Sequence, residues 1–144
     1  MKVLVLFDGS ENAMRAVNFG GRLARLDSGV QVTVLQIVEF WKTGAWGFLT
    51  LSEEKQEEAI TKAKQGVAGG LEKAKSALAE SGADVETVVL TGDPVTSIID
   101  YAEEKQPDVI VMGSRGTGAI QELVLGGICH KVLQLAKQPV IVVK

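Results

Sequence analysis

Five short, mostly β-branched apolar runs punctuate the chain: KVLVLF (Lys2 to Phe7), VQVTVLQIV (Val30 to Val38), VETVVL (Val85 to Leu90), DVIVMG (Asp108 to Gly113) and PVIVVK (Pro139 to Lys144). Each is bounded by turn-forming residues and predicts a strand. The first, fourth and fifth are almost continuously apolar, as expected of parallel strands covered on both faces. In the second, Gln31 and Thr33 alternate with valines. Between the runs the apolar spacing becomes helical. Ser10 predicts an N-cap and Glu11 suits a first turn, after which Ala13, Ala16, Val17, Gly20 and Ala24 mark one face to about Leu26. Ile60, Ala63, Val67, Leu71, Ala74 and Leu78 form a stripe along a helix from Glu53 to about Ser81. Gly69-Gly70 in its middle weakens it by about 1 kcal/mol per glycine relative to alanine. Asp93-Pro94 reads as an N-cap followed by proline at the first helical position, with Ile98, Ile99 and Ala102 inward until Pro107. A last helix turns Ile128, Val132, Leu135 and Ala136 inward and stops before Pro139.

Strand and helix alternate along the whole chain. This predicts an α/β fold, a doubly wound five-stranded parallel sheet with helices on both faces and right-handed crossovers, in a single domain over residues 1–144. The connection EFWKTGAWGFLTLS, Glu39 to Ser52, is the exception: it holds both tryptophans and two of the four phenylalanines. It reads as a packing patch or partner surface, with a lid as the alternative.

The net charge of −3 and scattered Lys and Arg give no basic footprint for nucleic acid, and the apolar runs are too short to span a membrane. Met1-Lys2 leads directly into a strand rather than a secretory signal, so a soluble, cytoplasmic protein is expected. The one cysteine, Cys129, has no intramolecular disulfide partner. Cys129 and His130 do not form a nucleophile–base pair, because adjacent helical residues point about 100° apart. They read as a packing cysteine and a surface histidine. No spacing proposes a zinc site. Arg15, Arg22 and Arg25 read as a solvated stripe, and Asp8, flanked by Phe7 and Gly9, lacks the acidic pair of a phospho-acceptor domain. No catalytic residue is assigned.

The fourth run opens into MGSRGTGAIQELVLGGICHKV, with glycines at 113, 116, 118, 126 and 127. A strand followed by a glycine-rich loop and a helix suits an anion, because the first helical N–H groups are unpaired. The P-loop pattern fails, since Ala119 and Ile120 stand where Lys and Ser/Thr are required, and the dinucleotide pattern fails at Gln121. The remaining spacing is G-x2-G-x9-G: Gly113, Gly116, Gly126. Ligands of doubly wound sheets sit beyond the carboxyl ends of strands where the winding reverses, here between the strand ending at Asp8 and the strand ending at Gly113. Gly113 and Gly116 would admit phosphate to the backbone. A short turn from Gln121 to Leu125 would bring the last helix, starting near Gly126-Gly127, onto the same anion.

With LFDGS after the first strand, GDP before the third helix, VIVMGSRG at the fourth strand and PVIVVK at the end, the chain resembles the universal stress protein family in its nucleotide-binding branch, over essentially its whole length. The resemblance implies an adenine nucleotide alpha-hydrolase-like sheet, a homodimer through the last strand (Val140, Ile141, Val142, Val143), and ATP, with AMP or ADP as alternatives, carried with Mg or Mn. It places Asp8, Ile37 and Met112 at the nucleoside and Gly113, Gly116, Gly126, Gly127 and Ile128 at the phosphates. Arg115 is added as a cation within the loop, with a solvated loop arginine as the other reading. Two residues depart from the expected site. Gly127 stands where the family has Ser or Thr, which removes a hydroxyl from the phosphates, and bulky Phe7 precedes Asp8 as an intrusion near the nucleotide. The expected function is a dimeric, ATP-binding regulator of the stress response, without a strong catalytic constellation but compatible with slow ATP hydrolysis. The alternatives are a nucleotide-free dimer working through its surfaces and a small enzyme of nucleotidyl chemistry.

Overall fold

The computed structural model describes residues 1–39, 45–115 and 125–144. Among them, β1 (Lys2–Leu6), β2 (Gln31–Val38), β3 (Asp84–Thr91), β4 (Val109–Gly113) and β5 (Val140–Val143) form one sheet in the order β3-β2-β1-β4-β5. Every neighbouring pair is parallel, with Val5 of β1 level with Val34 of β2 and Val111 of β4. The helices are α1 (Glu11–Ala24), α2 (Ala45–Leu49), α3 (Glu53–Ala79), α4 (Pro94–Lys105) and α5 (Gly127–Leu135).

The pleat divides the apolar side chains between two cores. Val3, Val5, Phe7, Val32, Val34, Val109 and Val111 face one layer, where Ala16 and Val17 of α1 and Leu71, Ala74 and Leu78 of α3 cover them. Leu4, Leu6, Leu35, Ile110 and Met112 face the other, against Ile98 and Ala102 of α4 and Cys129 and Val132 of α5. Residues such as Val5, Val34, Ile110 and Val111 are fully buried. Burial of each such side chain stabilises by roughly 1.5–3 kcal/mol, which explains why Val3 to Leu6 of β1 and Val109 to Met112 of β4 are apolar on both faces.

Local chemistry sets the helix starts. The Ser10 hydroxyl oxygen accepts the Ala13 N–H (3.1 Å) at the head of α1. Asp93 accepts both the N–H and the hydroxyl of Thr96 (2.9 Å each) at the head of α4, with Pro94 at the first helical position. The Thr96 backbone N–H, and then its hydroxyl, hold the Asp93 carboxyl below the usual carboxylate pKa. Ahead of Pro107, α4 ends at Gln106 in the left-handed conformation (φ 50°). α1 and α3 each stop two residues before the expected ends, and β3 extends one residue further in each direction than its apolar run.

The aromatic connection differs more. It contains the five-residue α2, which no periodicity announced, and is fastened to α3 by Gln56 Nε2, which donates to the Phe48 carbonyl at 3.2 Å. Residues 40–44 of that connection, and with them Phe40 and Trp41, lie outside the described residues.

β5 is an edge strand. The Ile110 N–H donates to the Pro139 carbonyl and the Ser114 N–H to the Val143 carbonyl (2.9 Å each). Alternation therefore points the backbone groups of Ile141 towards β4 and those of Val140 and Val142 towards the open edge.

Gly69 is exposed within α3, and a Cβ there would meet nothing within 4 Å. Gly69→Ala should stabilise the protein by about 0.5–1 kcal/mol, read as a higher urea midpoint at constant slope. A lower midpoint would contradict the helical packing described for this face.

Candidate functional site

From β1 the chain enters α1 on one face of the sheet; from the adjacent β4 it leads to α5 on the other. Between these strand ends lies a cleft of about 430 Å³. Its floor and one side are apolar: Leu6, Leu35, Ile37, Ile98 and Met112, with Pro94 at the rim. Asp8, Arg115 and Glu39 bring charge to it, and Gly113, Gly126, Gly127 and Ile128 close the end nearest β4. The structure thus brings together Asp8, Ile37, Met112, Gly113, Arg115, Gly126, Gly127 and Ile128. Gly116, and the expected turn from Gln121 except for Leu125, lie outside the described residues.

Each wall has a local cause. Asp8 follows β1, and its Oδ1 accepts the Ser10 N–H (2.9 Å), folding the chain back into α1. Gly9 between them has φ +83°, a conformation that favours glycine. On β2 the ladder continues to Phe7, whose N–H donates to the Leu35 carbonyl (2.9 Å). Two residues on, the backbone of Ile37 has the same phase and faces the gap where β1 has ended. A flat, apolar ring with polar edges would find both a surface and main-chain hydrogen-bonding groups there.

The β4 end is tied down through Ser114, which is buried. Its N–H donates to the Val143 carbonyl, and its own carbonyl accepts the Gly126 N–H at 2.8 Å. This bond spans the loop and fixes where α5 begins. Gly126 occupies the N-cap position and, as a glycine, brings no side-chain cap of its own. The amino end of α5, with its outward N–H groups and positive dipole end, therefore borders the cleft. Gly127 is exposed, and a Cβ there would meet nothing within 4 Å, so a larger residue has room. Cys129 is buried in the cleft wall and burial pushes its thiol pKa up, while His130 is exposed.

Gly113 and Phe7 have different physical reasons from those expected of the sequence. A Cβ on Gly113 would stand 2.8 Å from the carbonyl carbon and 2.9 Å from the carbonyl oxygen of Asn12. Its missing side chain lets α1 cross β4 closely, and it borders the cleft as a consequence. The ring of Phe7 turns into the core under α3, where its Cε1 would be 3.4 Å from a Cβ on Gly70. Phe7 is wall rather than intrusion.

Ser114 and Gln36 were not singled out by sequence reasoning. Ser114 acts through its backbone, which carries no residue signature. Gln36 left a signal, a glutamine interrupting the apolar run of a central strand. It is 7% exposed, lines the cleft, and among the described residues its Oε1 has no hydrogen-bond partner. An unsatisfied buried acceptor of this kind costs about 1–3 kcal/mol.

Gly113→Ala tests the tie between α1 and β4. It should destabilise by about 1–3 kcal/mol in urea unfolding, because the opposing atoms are backbone and cannot rotate away. A change below ~0.5 kcal/mol would show that α1 does not cross β4 as closely as described.

The family model described as "Universal stress protein family" matches residues 1–144. Universal stress protein YxiE of Bacillus subtilis is 32% identical over 146 residues, covering 99% of this chain and 98% of that protein. Universal stress protein MJ0531 of Methanocaldococcus jannaschii is 31% identical, covering 99% of this chain and 81% of its own length. Among solved structures, protein MJ0577 superposes with a TM-score of 0.87 at 27% identity, over 99% of this chain and 94% of that one. The universal stress protein from Archaeoglobus fulgidus in complex with dAMP superposes with a TM-score of 0.69 at 26% identity, over 100% and 98% of the two chains. Among the described residues, no helix is long and apolar enough to cross a membrane. Sheet order, the cleft at its winding reversal and these matches agree: the chain belongs to the universal stress protein family.

Proposed function

We propose that this universal stress protein binds an adenine nucleotide, ATP foremost and AMP or ADP as lesser ligands, in the cleft between the ends of β1 and β4, and that it acts as a homodimeric regulator. The observation that carries the reading is the amino end of α5, whose N-cap Gly126 brings no capping side chain, bordering a cleft whose floor and one side are apolar. Phosphates would lie against the N–H groups of Gly127 and Ile128, with Arg115 beside them. Asp8, midway, would accept from ribose hydroxyls, and the base would lie over Ile37 and Met112. The relative solved in complex with dAMP supports an adenine nucleotide as the ligand.

The described residues hold no group of three or more His, Cys, Asp or Glu side chains able to enclose a metal. Magnesium or manganese would come with the nucleotide's phosphates, supplying charge neutralisation there. A nucleotide-free dimer is the second reading, favoured by Gly127, since a hydroxyl at that position would have added a phosphate contact.

Titration calorimetry with ATP and adenosine separates the two. Gly127→Ser has open space for its side chain and should tighten ATP binding about fivefold to tenfold, near 1–1.4 kcal/mol, while leaving adenosine unchanged. An equal gain for both ligands would mean the serine only orders the loop. Absence of ATP binding at millimolar concentration in both proteins would favour the nucleotide-free dimer.

The dimer would pair β5 with β5 of a second copy, since an apolar edge strand left open invites pairing. Val142→Pro removes a donor from the outer edge and leaves the ladder to β4 intact, so light scattering should read a monomer with unchanged secondary structure. A dimer that persists at low micromolar concentration would assign the interface to another surface.

A further inference from the structure

We infer that Gln36 reads the purine base, its side-chain carbonyl accepting a hydrogen bond from the 6-amino group of adenine. This rests on the nucleotide reading above and adds a specificity-determining residue to it. Gln36 is the buried polar side chain of β2, 7% exposed, with an Oε1 that has no partner among the described residues. It shares the pleat face of Val32 and Val34 and lines the cleft, as do Phe7 and Ala13 of the core on that face. Neither of those side chains carries a donor. A buried acceptor with no partner among the described residues is open to a donor that enters the cleft.

Position decides which part of the ligand that is. Across the carboxyl edge of the sheet the order is β2, β1, β4. The amino end of α5 borders the β4 end, so phosphate belongs there, and Asp8 follows β1 in the middle, where ribose hydroxyls belong. Gln36 stands at the β2 end beside Ile37, the place left for the base. Phosphates at neutral pH offer almost no donors, and the exocyclic amine is the only N–H on adenine once N9 carries the ribose. The glutamine amide can also turn its nitrogen to an acceptor, so guanine and hypoxanthine are poor probes. Purine riboside, which is adenosine without the 6-amino group, isolates the contact.

The experiment compares adenosine, purine riboside and ATP on wild type and Gln36→Met, a near-isosteric change that removes the acceptor. Wild type should bind adenosine about tenfold more tightly than purine riboside, and in Gln36→Met that ratio should fall towards one. The ratio of ATP to adenosine affinity should be the same in both proteins, because the phosphate end is untouched. Gln36→Glu, which keeps an acceptor, should retain the preference and guards against misfolding of the methionine variant. An adenosine to purine riboside ratio that is unchanged in Gln36→Met while ATP still binds overturns the role of Gln36 alone. Wild type that binds none of the three overturns the nucleotide reading, and this inference with it.

Discussion

Parallel pairing of β1 with β4 at the centre of the sheet places two strand ends side by side whose chains must leave to opposite faces. Neither α1 nor α5 can then cover the ground between them, and the cleft is the space so left. The polar features of the site follow from that constraint. Asp8 is there because β1 has ended and the chain must turn, and α5 presents its amino end because it starts from β4. Ile37 shows its backbone because β2 outruns β1.

Two contacts hold the cleft to its shape, and both act through backbone. Gly113 lets α1 approach β4 to a separation that no side chain would allow, and the carbonyl of Ser114 receives the N–H of Gly126. One fixes the helix on the far side of the sheet, the other the helix on the near side. The glycine spacing in the sequence therefore serves packing at its first position, and under the proposed function it would serve ligand access at its last. Its first glycine belongs to the folding of the chain, and a change at Gly113 would act on the cleft by way of stability.

Elements whose cause is local were legible in the sequence. The strands follow from runs of valine, leucine and isoleucine; α1 and α4 follow from Ser10 and Asp93, whose side chains accept the capping bonds, and from Pro94 at the first helical position. The convergence of Asp8 with Gly113 and Gly126 was legible through the alternation of strand and helix, which leaves few topologies. What was not legible depends on residues distant in sequence. The close approach of Asn12 to Gly113 is one case; the pleat phase that turns Phe7 into the core under α3 is another. α2, five residues long, is too short to show a period. Gln36 stood in plain view, but only its lack of a partner distinguishes it from any other glutamine.

Under the proposed function one ligand lies across the carboxyl edge of the sheet, phosphates against α5 and base over β2. Amide chemical-shift mapping of the isotope-labelled protein during titration with Mg-ATP tests this most directly. The largest perturbations should fall on Gly113, Gly126, Gly127 and Ile128 at one end and on Gln36 and Ile37 at the other, with adenosine reproducing only the second group. Perturbations confined to other surfaces, such as the amino ends of the strands around Lys2 and Gln31, or none at all at millimolar ATP, would rule out this placement of the nucleotide.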